Sequence, residues 1–518
     1  MSTDKFLRGA MILTLAGLGV KIIGSVNRIL LSRLLGGEGI GLYQMAYPVY
    51  LLLVAVSSAG IAIAVSIMIS EKLAQRDYGN VQRIFKVSIS LMLLVGGLFA
   101  LGLFLGAGVL VEQGIVSDAR AYYGLVALTP AVFFSAVLAC FRGYFQGLQL
   151  MTAPAVSQIL EQLVRVVTML LLAYLLLPQG LAYAAAGAAF GAVPGGIMGI
   201  LVLTGFYVYY HRTRPLGTGF VNAPLSVGAI GKRLLLLALP VACANVVVPL
   251  TSSVDMLLVP RRLIASGYSV PQATELFGYL AGMAQPLLLL ATIPTVSLAA
   301  SIVPAIAEAH TLGKTEEIKQ KALMALKLCC LITVPAAVGM MVLAEPISLL
   351  LYGTTEAARA LFHSGPALWL LGLQQLSTGI LQGMGRIHVP MVHMLLGLMA
   401  KIIAVWFLTN ATWNIAGAAW ATNINFALAA ALNLMVLYHY HIRFQWLLLG
   451  KIFAAAGLMG AVAYYSHVVA LQLDWGASLS TVVAITLAAV VYVCLVPLWG
   501  IVDKKELGQL PLVRRLWR

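Results

Sequence analysis

The chain has 518 residues, 61% of them hydrophobic and only 9% charged, with a formal net charge of +15. A soluble protein of this length needs far more charge to cover its surface, so composition excludes a soluble globular fold and points to a membrane protein. The five cysteines, Cys140, Cys243, Cys329, Cys330 and Cys494, lie in or beside apolar runs and form no CxxC pair, which excludes a zinc site and a disulfide framework.

The N-terminus, MSTDKFLRGAMILTLAGLGV, has a short basic start followed by apolar residues. With no small-residue cleavage site and no polar domain after it, it reads as a retained first span rather than a cleaved leader. Apolar runs of the roughly 20 residues needed to cross a bilayer then recur to the end of the chain. They predict an all-α polytopic membrane protein with fourteen transmembrane helices, at 10–34, 41–69, 87–110, 121–141, 154–177, 181–209, 233–258, 278–305, 322–344, 361–383, 389–409, 414–438, 446–470 and 477–499.

Basic residues orient these spans. The termini and even-numbered connections hold 23 of the 32 lysines and arginines, whereas the other side holds Arg33, Arg120, Arg261, Arg262 and Arg359. By the positive-inside rule both termini are expected in the cytoplasm. The high net charge is then mostly topological, and no nucleic-acid partner is expected.

Helix 1 carries Lys21, Ser25, Arg28 and Ser32 at i, i+4, i+7, i+11, which fall on one helical face. An intramembrane charge facing lipid costs about 2.5 to more than 10 kcal/mol. The stripe is therefore expected to face water, a counter-charge or an anionic ligand. "LLGGEGIGLY" follows, with four glycines at the non-cytoplasmic end. Helix 5 offers a second stripe, Gln158, Glu161, Gln162 and Arg165. Glu161 and Arg165 form an i, i+4 pair with the acid in the favoured position; they either neutralise one another inside the bundle or line a cavity together with the glutamines.

An internal repeat links the two halves. "QGLQLMTAPAVSQILEQLVRVV" from Gln146 matches "QGMGRIHVPMVHMLLGLMAKII" from Gln382 in its Gln-Gly pair, its proline (Pro154, Pro390) and its basic residue (Arg165, Lys401). "AAAGAAFGA" near Gly187 mirrors "NIAGAAWAT" near Gly417, "YYHR" mirrors "YHYHIR", and "SVNRILLSR" mirrors "SVDMLLVPR". Helices 1–6 are thus expected to repeat as helices 7–12, in two lobes related by a pseudo-twofold along the membrane normal. The expected divisions are 1–212 (N-lobe), 213–443 (C-lobe) and 444–518 (helices 13 and 14 with a cytoplasmic tail). Transporters with two such lobes bind cargo between them near the midplane.

In the second lobe Asn245, Ser252 and Asp255 decorate helix 7, and Gln374, Ser377, Thr378 and Gln382 decorate helix 10. Helix 11 carries His393 and Lys401. Asp255 reads as a cation ligand, a protonation site or a partner for a lysine; His393 reads as a packing residue or a proton carrier. Pro48, Pro240, Pro249, Pro286 and Pro294 interrupt spans, as hinges or as static kinks. Lys21, Arg28, Arg165 and Lys401 outnumber Glu161 and Asp255 within the spans. That positive balance favours an anionic cargo such as a diphosphate, which arginine and lysine hold through charge-assisted hydrogen bonds.

The stretches "FLRGAMILTLAGLGVKIIGSVNRILLSRLLGGEGIGLYQMAYP", "RGYFQGLQLMTAPAVSQILEQLVRV" and "YAAAGAAFG" resemble the stage V sporulation protein B family. That family belongs, with MurJ-type lipid II flippases, to the multidrug/oligosaccharidyl-lipid/polysaccharide flippase superfamily. The resemblance covers essentially the whole chain. It implies a flippase with a V-shaped cavity that alternates between membrane faces, no cofactor, and an undecaprenyl-diphosphate-linked saccharide as cargo, foremost the peptidoglycan precursor lipid II. Other cell-wall synthesis proteins are the partners it implies, and the bacterial cytoplasmic membrane the location.

It also implies that helices 13 and 14 form a groove for the lipid tail and that basic residues on helix 1 hold the diphosphate. Lys21 fills the first matching position, Asn27 the second, with Arg28 displaced by one. The further arginine that MurJ-type proteins carry on helix 2 has no counterpart in "YPVYLLLVAVSSAG". Asp255 matches one acid of the sodium site that some relatives hold, but helix 11 lacks the other, so sodium coupling is not expected. The substrate-binding set is therefore Lys21, Asn27, Arg28, Gln158, Glu161, Arg165 and Lys401, with Asp255 and His393 as candidates for ion or proton coupling.

Flippases for teichoic-acid or capsule precursors and a drug antiporter of the same superfamily are the alternatives within transport. An acidic cavity, which a cation exporter needs, is not what the spans offer. A membrane enzyme is disfavoured because the non-cytoplasmic acids (Glu38, Glu112, Asp118, Glu275, Glu345, Glu356, Asp474) do not cluster in sequence.

Overall fold

The computed structural model describes residues 3–58, 60–213, 223–443 and 446–502, with side chains from residue 11 onward except those of Ala244 and Val248. Arg214, the expected cytoplasmic tail with Lys504, Lys505, Arg514, Arg515 and Arg518, and the side chains of Lys5 and Arg8 lie outside the described residues. Helices make up nearly all of the rest, and no strand occurs among the described residues.

The chain packs as two compact units, Met1–Gly282 and Met283–Arg518. The first contains α1 (Thr3–Ser57), α2 (Ile61–Ala74), α3 (Tyr78–Glu112), α4 (Tyr122–Gly147), α5 (Thr152–Leu176), α6 (Leu181–Phe190), α7 (Ala192–Thr213), α8 (Val227–Ala265) and α9 (Val270–Phe277). The second contains α10 (Gln285–Ala291), α11 (Ile293–Thr311), α12 (Thr315–Val342), α13 (Ala344–Tyr352), α14 (Ala358–Gly383), α15 (His388–Leu408), α16 (Ile415–His439), α17 (Trp446–Gln472) and α18 (Ala477–Leu498). A π-helical stretch, Gly278–Ala284, joins α9 to α10. The contact-based first unit thus takes in α8, which the repeat-based division assigns to the C-lobe.

Eleven helices among the described residues are long and apolar enough to cross a bilayer, or twelve if the pair Val227–Cys243 and Asn245–Ala265, bent by 42°, forms one span. With the bent pair taken as one span, the fourteen expected helices differ from the twelve at two places, each with a physical cause. The 64-residue stretch Met11–Ala74 counts once but runs through the expected helices 1 and 2. Ala358–Gly383 carries Arg359, His363, Gln374, Gln375 and Gln382, which dilute its apolar character.

Continuous helix over α1 would be about 80 Å long, more than twice the bilayer core. It is not straight. Gly36 has φ 68° and ψ −174°, non-helical values inside the run. A side chain is disfavoured there, whereas glycine visits positive φ freely. Beyond it the chain turns back on itself, as the contacts of Arg28 below establish.

Some helix ends of the two units close alike. α4 ends with Leu148 N donating to Tyr144 O and Leu150 N to Phe145 O, and α14 ends with Met384 N donating to Ile380 O and Arg386 N to Leu381 O. Arg76 N to Leu73 O and Asp77 N to Lys72 O recur as Gly313 N to His310 O and Lys314 N to Ala309 O, with positive φ at Arg76 and at Gly313. Helix contacts repeat too. A Cβ on Gly147 would lie 2.8 Å from Ile69 Cβ and 2.9 Å from Ser66 O; one on Gly383 would lie 2.8 Å from both Ile306 Cβ and Val303 O.

Lipid tails are as apolar as leucine, so helices here associate through close backbone approach rather than water exclusion. Such seams depend on the missing side chain. Gly147→Leu and Gly383→Leu are each expected to force α4 from α2 and α14 from α11. Thermal unfolding of the purified protein in detergent should show a loss of about 1–3 kcal/mol for each, against a near-silent Gly102→Leu, where nothing lies within 4 Å.

Candidate functional site

The charged centre of the first unit is built on α5. Glu161 and Arg165 stand one turn apart, and Arg165 Nη2 donates to Glu161 Oε1 at 2.6 Å. The other carboxylate oxygen accepts from Arg142 Nη2 at 2.5 Å. Arg142 comes from the last turns of α4, which runs to Gly147 and so carries this residue inside a helix rather than in the expected cytoplasmic connection. All three side chains are half-buried or more, at 13%, 17% and 21% exposure for Glu161, Arg165 and Arg142. Arg142 Nε and Arg165 Nε are buried with no hydrogen-bond partner. The triad carries one net positive charge, and each guanidinium has more N–H donors than the one it spends on Glu161, a composition that suits a multivalent anion.

α1 brings the second part. The guanidinium of Arg28 lies over the ring of Tyr47 at 5.4 Å from its centroid. Nineteen helical residues would separate them by about 28 Å, so the contact requires the reversal at Gly36. Ser32 Oγ donates to Gly282 O at 3.3 Å and Gln44 Nε2 donates to Ala281 O, so residues on either side of the reversal hold adjacent carbonyls of the π-helical stretch. Tyr43, Tyr47 and Tyr50 follow i, i+4, i+7 spacing, with Tyr43 and Tyr47 stacked at 5.2 Å and Tyr47 and Tyr50 at 5.6 Å. Tyr50 Oη hydrogen-bonds Ser135 Oγ of α4 at 3.1 Å. The field of Arg165 reaches all three tyrosines, and that of Arg28 reaches Tyr43. Both arginines thus act on one tyrosine cluster.

The remaining residues of the expected set divide. Asn27 is 4% exposed and turns to α5, where Nδ2 donates to Met169 Sδ at 3.4 Å; it belongs to the α1–α5 seam. Gln162 borders the same seam, 3.3 Å from where a Cβ on Gly24 would sit. Gln158 is half-buried on α5 and Lys21 exposed on α1. Asp255 is buried in α8. Lys401 is buried in α15 of the second unit, as is the network around His393. His393 Nδ1 lies 2.8 Å from Asn433 Oδ1, and Asn433 Nδ2 donates to Ser377 Oγ at 3.0 Å and Thr378 Oγ1 at 3.2 Å. The ring thus ties α15 to α16 and, through Asn433, to α14. Among the described residues no group of three or more His, Cys, Asp or Glu can hold a metal ion.

Two other features complete the picture. In the first unit Asp118 accepts from Arg120 N and Nε, both at 3.0 Å, from Arg120 Nη2 at 2.7 Å and from Thr274 Oγ1 at 2.8 Å. Arg120 Nη1 also lies 2.7 Å from Glu38 Oε1. This pins the turn before α4 to α1 and α9, where a Cβ on Gly278 would collide with Gly37 O. In the second unit a cavity of about 590 Å³ opens among α10, α12, α13, α14, α17 and α18. Its walls are apolar, with Leu287, Leu331, Met340, Met459 and Ile485 among them. The one hydroxyl, that of Tyr492, donates to Leu331 O at 3.1 Å.

A helical, multi-pass chain with a buried cationic centre and an apolar cavity has the make-up of a membrane transporter. Residues 6–270 match the family model described as polysaccharide biosynthesis protein, and 280–407 match the MatE model. The chain belongs to the polysaccharide biosynthesis protein family, within the multidrug/oligosaccharidyl-lipid/polysaccharide flippase superfamily. It is 29% identical over 525 residues to stage V sporulation protein B of Bacillus subtilis (strain 168), spanning 100% of this chain and 99% of that one. Lipid II flippase MurJ of the same organism is 26% identical over 422 residues, 77% of each chain. The solved structure "Lipid II flippase MurJ, inward closed conformation" superposes with a TM-score of 0.72 at 16% identity, covering 94% of this chain and 98% of that one. At that identity the likeness speaks for the fold.

The sequence reading missed Arg142 and the tyrosine cluster. The signal for the tyrosines was present in "LYQMAYPVY" as helical spacing; for Arg142 there was none, because its partner lies across the α4–α5 turn.

Proposed function

We propose that this chain moves a polyprenyl-diphosphate-linked saccharide across the bacterial cytoplasmic membrane by alternating access, with lipid II as the foremost cargo and both termini cytoplasmic. The observation that carries the reading is the Arg142–Glu161–Arg165 triad beside Arg28 and its tyrosines: a positive, partly buried centre in which two guanidinium groups share one carboxylate. A diphosphate offers several anionic oxygens to such forks, and Glu161 holds both guanidinium groups in place before the cargo arrives, so less ordering is required on binding. Tyr47 supports Arg28 from beneath through its ring face. The apolar cavity beside α17 and α18 suits the polyprenyl tail. Lys21 and Gln158 are further cargo-binding residues of the first unit in this reading and Lys401 one of the second, with Asn27 as a spacer between α1 and α5. His393 serves as a structural tie, and Asp255 stays a candidate for ion or proton coupling.

The positive centre disfavours cationic drugs as cargo. The test is surface exposure of lipid II in cells lacking redundant flippases. Expression of this chain is expected to restore exposure, and no restoration at normal membrane levels would overturn lipid II as cargo. Filling the apolar cavity provides an independent check: Ala488→Trp is expected to reduce exposure about tenfold while an amphiphile with a shortened prenyl tail is moved at near the wild-type rate.

A further inference from the structure

A second cavity in the Met283–Arg518 unit, about 730 Å³ in volume, borders the apolar one, with neighbouring residues of α12, α13 and α17 lining the two. It is formed where α12 ends, where α13 and α14 begin, and along α17. The opposite ends of α12 and α14 carry Lys314, Lys319, Lys321 and Arg386. The cavity therefore sits at the lysine-poor end of these helices, the end that the distribution of basic residues assigns to the non-cytoplasmic leaflet.

Its chemistry is unlike that of the apolar cavity. Phe362, Tyr464 and Tyr465 line it and are 43%, 53% and 67% exposed, aromatic side chains at helix ends of the kind that mark the headgroup level. Two opposite charges face the same space, Arg359 and Glu345, yet they form no ion pair with one another or with any other described residue. Arg359 is steadied by long hydrogen bonds from Nη2 to Thr412 O at 3.3 Å and Trp413 O at 3.4 Å, which leave most of its donors available. His363 at the wall is held by Trp420 Nε1 at 3.2 Å, with its backbone carbonyl accepting from Asn423 Nδ2 at 2.9 Å. A cavity with a fixed cation, a separate anion and aromatic walls at headgroup depth is complementary to a ligand carrying both charges.

We propose that this cavity docks the headgroup of a zwitterionic phospholipid of the non-cytoplasmic leaflet, its phosphate on Arg359 and its ammonium on Glu345 among the tyrosines. An anionic headgroup satisfies Arg359 but meets repulsion from Glu345. A saccharide uses the aromatic walls but leaves both charges without a counter-charge. The site lies within one unit and stands apart from the cargo reading.

Native mass spectrometry of the full chain in detergent, titrated separately with phosphatidylethanolamine and phosphatidylglycerol, tests it. Wild type is expected to bind the first phosphatidylethanolamine about fivefold more tightly than phosphatidylglycerol. Arg359→Gln should weaken the binding of both lipids, and Glu345→Gln should abolish the preference while leaving phosphatidylglycerol binding intact or stronger. Both positions are exposed, so both variants are expected to fold, as their melting temperatures will report. Equal affinities in wild type, a preference for phosphatidylglycerol, or unchanged binding in both variants would overturn the proposal. So would displacement of phosphatidylethanolamine by a soluble N-acetylhexosamine disaccharide, which would make the cavity a sugar site.

Discussion

Arg165→Ala is expected to lower surface exposure of lipid II by about ten- to a hundredfold, the range that corresponds to losing one charge-assisted hydrogen bond of about 1.5–3 kcal/mol. Arg142→Ala should follow closely, because it supplies the second fork to the same carboxylate. Either substitution leaves Glu161 paired with the remaining arginine, so the site goes from one net positive charge to none and keeps no unpaired carboxylate, and the protein should reach the membrane at normal levels. Glu161→Gln behaves differently. It removes the shared counter-charge and leaves two partly buried cations facing each other. That should lower stability by about 1–3 kcal/mol, discounted from the fully buried case because the side chains keep some exposure. Arg165→Lys retains charge but not the planar fork and should recover only part of the activity. Unaltered lipid II exposure in both alanine variants would remove the triad from the cargo path while leaving the fold and family untouched.

Some of this centre was legible and some was not, for physical reasons. The Glu161–Arg165 pair is local: four residues of regular helix place the two side chains together, so spacing alone predicts the contact. Arg142 meets the same glutamate across a tight turn, and nothing in an apolar helix tells which face a neighbouring helix will present. The glycines of "LLGGEGIGLY" announced an irregularity, but only coordinates identify Gly36 as the position with positive φ that returns Tyr47 to Arg28. His393 could be read as a proton carrier or as a packing residue because its partner, Asn433, lies on another helix. Span type was legible because lipid imposes it on composition; span limits were less so. Expected helix 8 at 278–305 is a π-helical turn, a short helix and a longer one, and two expected helices at the start share one long run. The repeat rests on a few side chains, and the corresponding glycines Gly147 and Gly383 each sit against an isoleucine of a neighbouring helix.

The seam that joins α1 and α9 to the turn before α4 should act as a latch on the non-cytoplasmic side. Asp118 is 1% exposed and holds three groups of Arg120 and the hydroxyl of Thr274, 156 residues on. In the alternating-access cycle proposed above, this contact is expected to part when the chamber opens outward. Asp118→Asn keeps the shape but removes the charge that draws Arg120. A loss of about 1–3 kcal/mol from the closed arrangement multiplies the open fraction about 5- to 150-fold. Ala273, wholly buried beside Thr274, can report the opening. With the five native cysteines replaced, an Ala273→Cys background should react with an impermeant maleimide at least fivefold faster when Asp118→Asn or Arg120→Gln is added. The pH dependence follows from the same bonds. Burial pushes the Asp118 carboxyl upward, but the hydrogen bonds from Arg120 and Thr274 outweigh it and hold the group below its ordinary value of 3.8. A group depressed in the closed form stabilises that form fully above its ordinary value and ceases to do so as pH falls through the depressed one. Labelling of the otherwise wild-type background, divided at each pH by that of the same thiol in denatured protein to remove the thiol's own titration, should therefore be flat between about pH 5 and 8 and rise only below about pH 4. A midpoint near neutrality would assign the latch to some other group, and labelling unchanged by both substitutions would show that the close packing of Gly37 against Gly278 holds this end shut without the carboxylate.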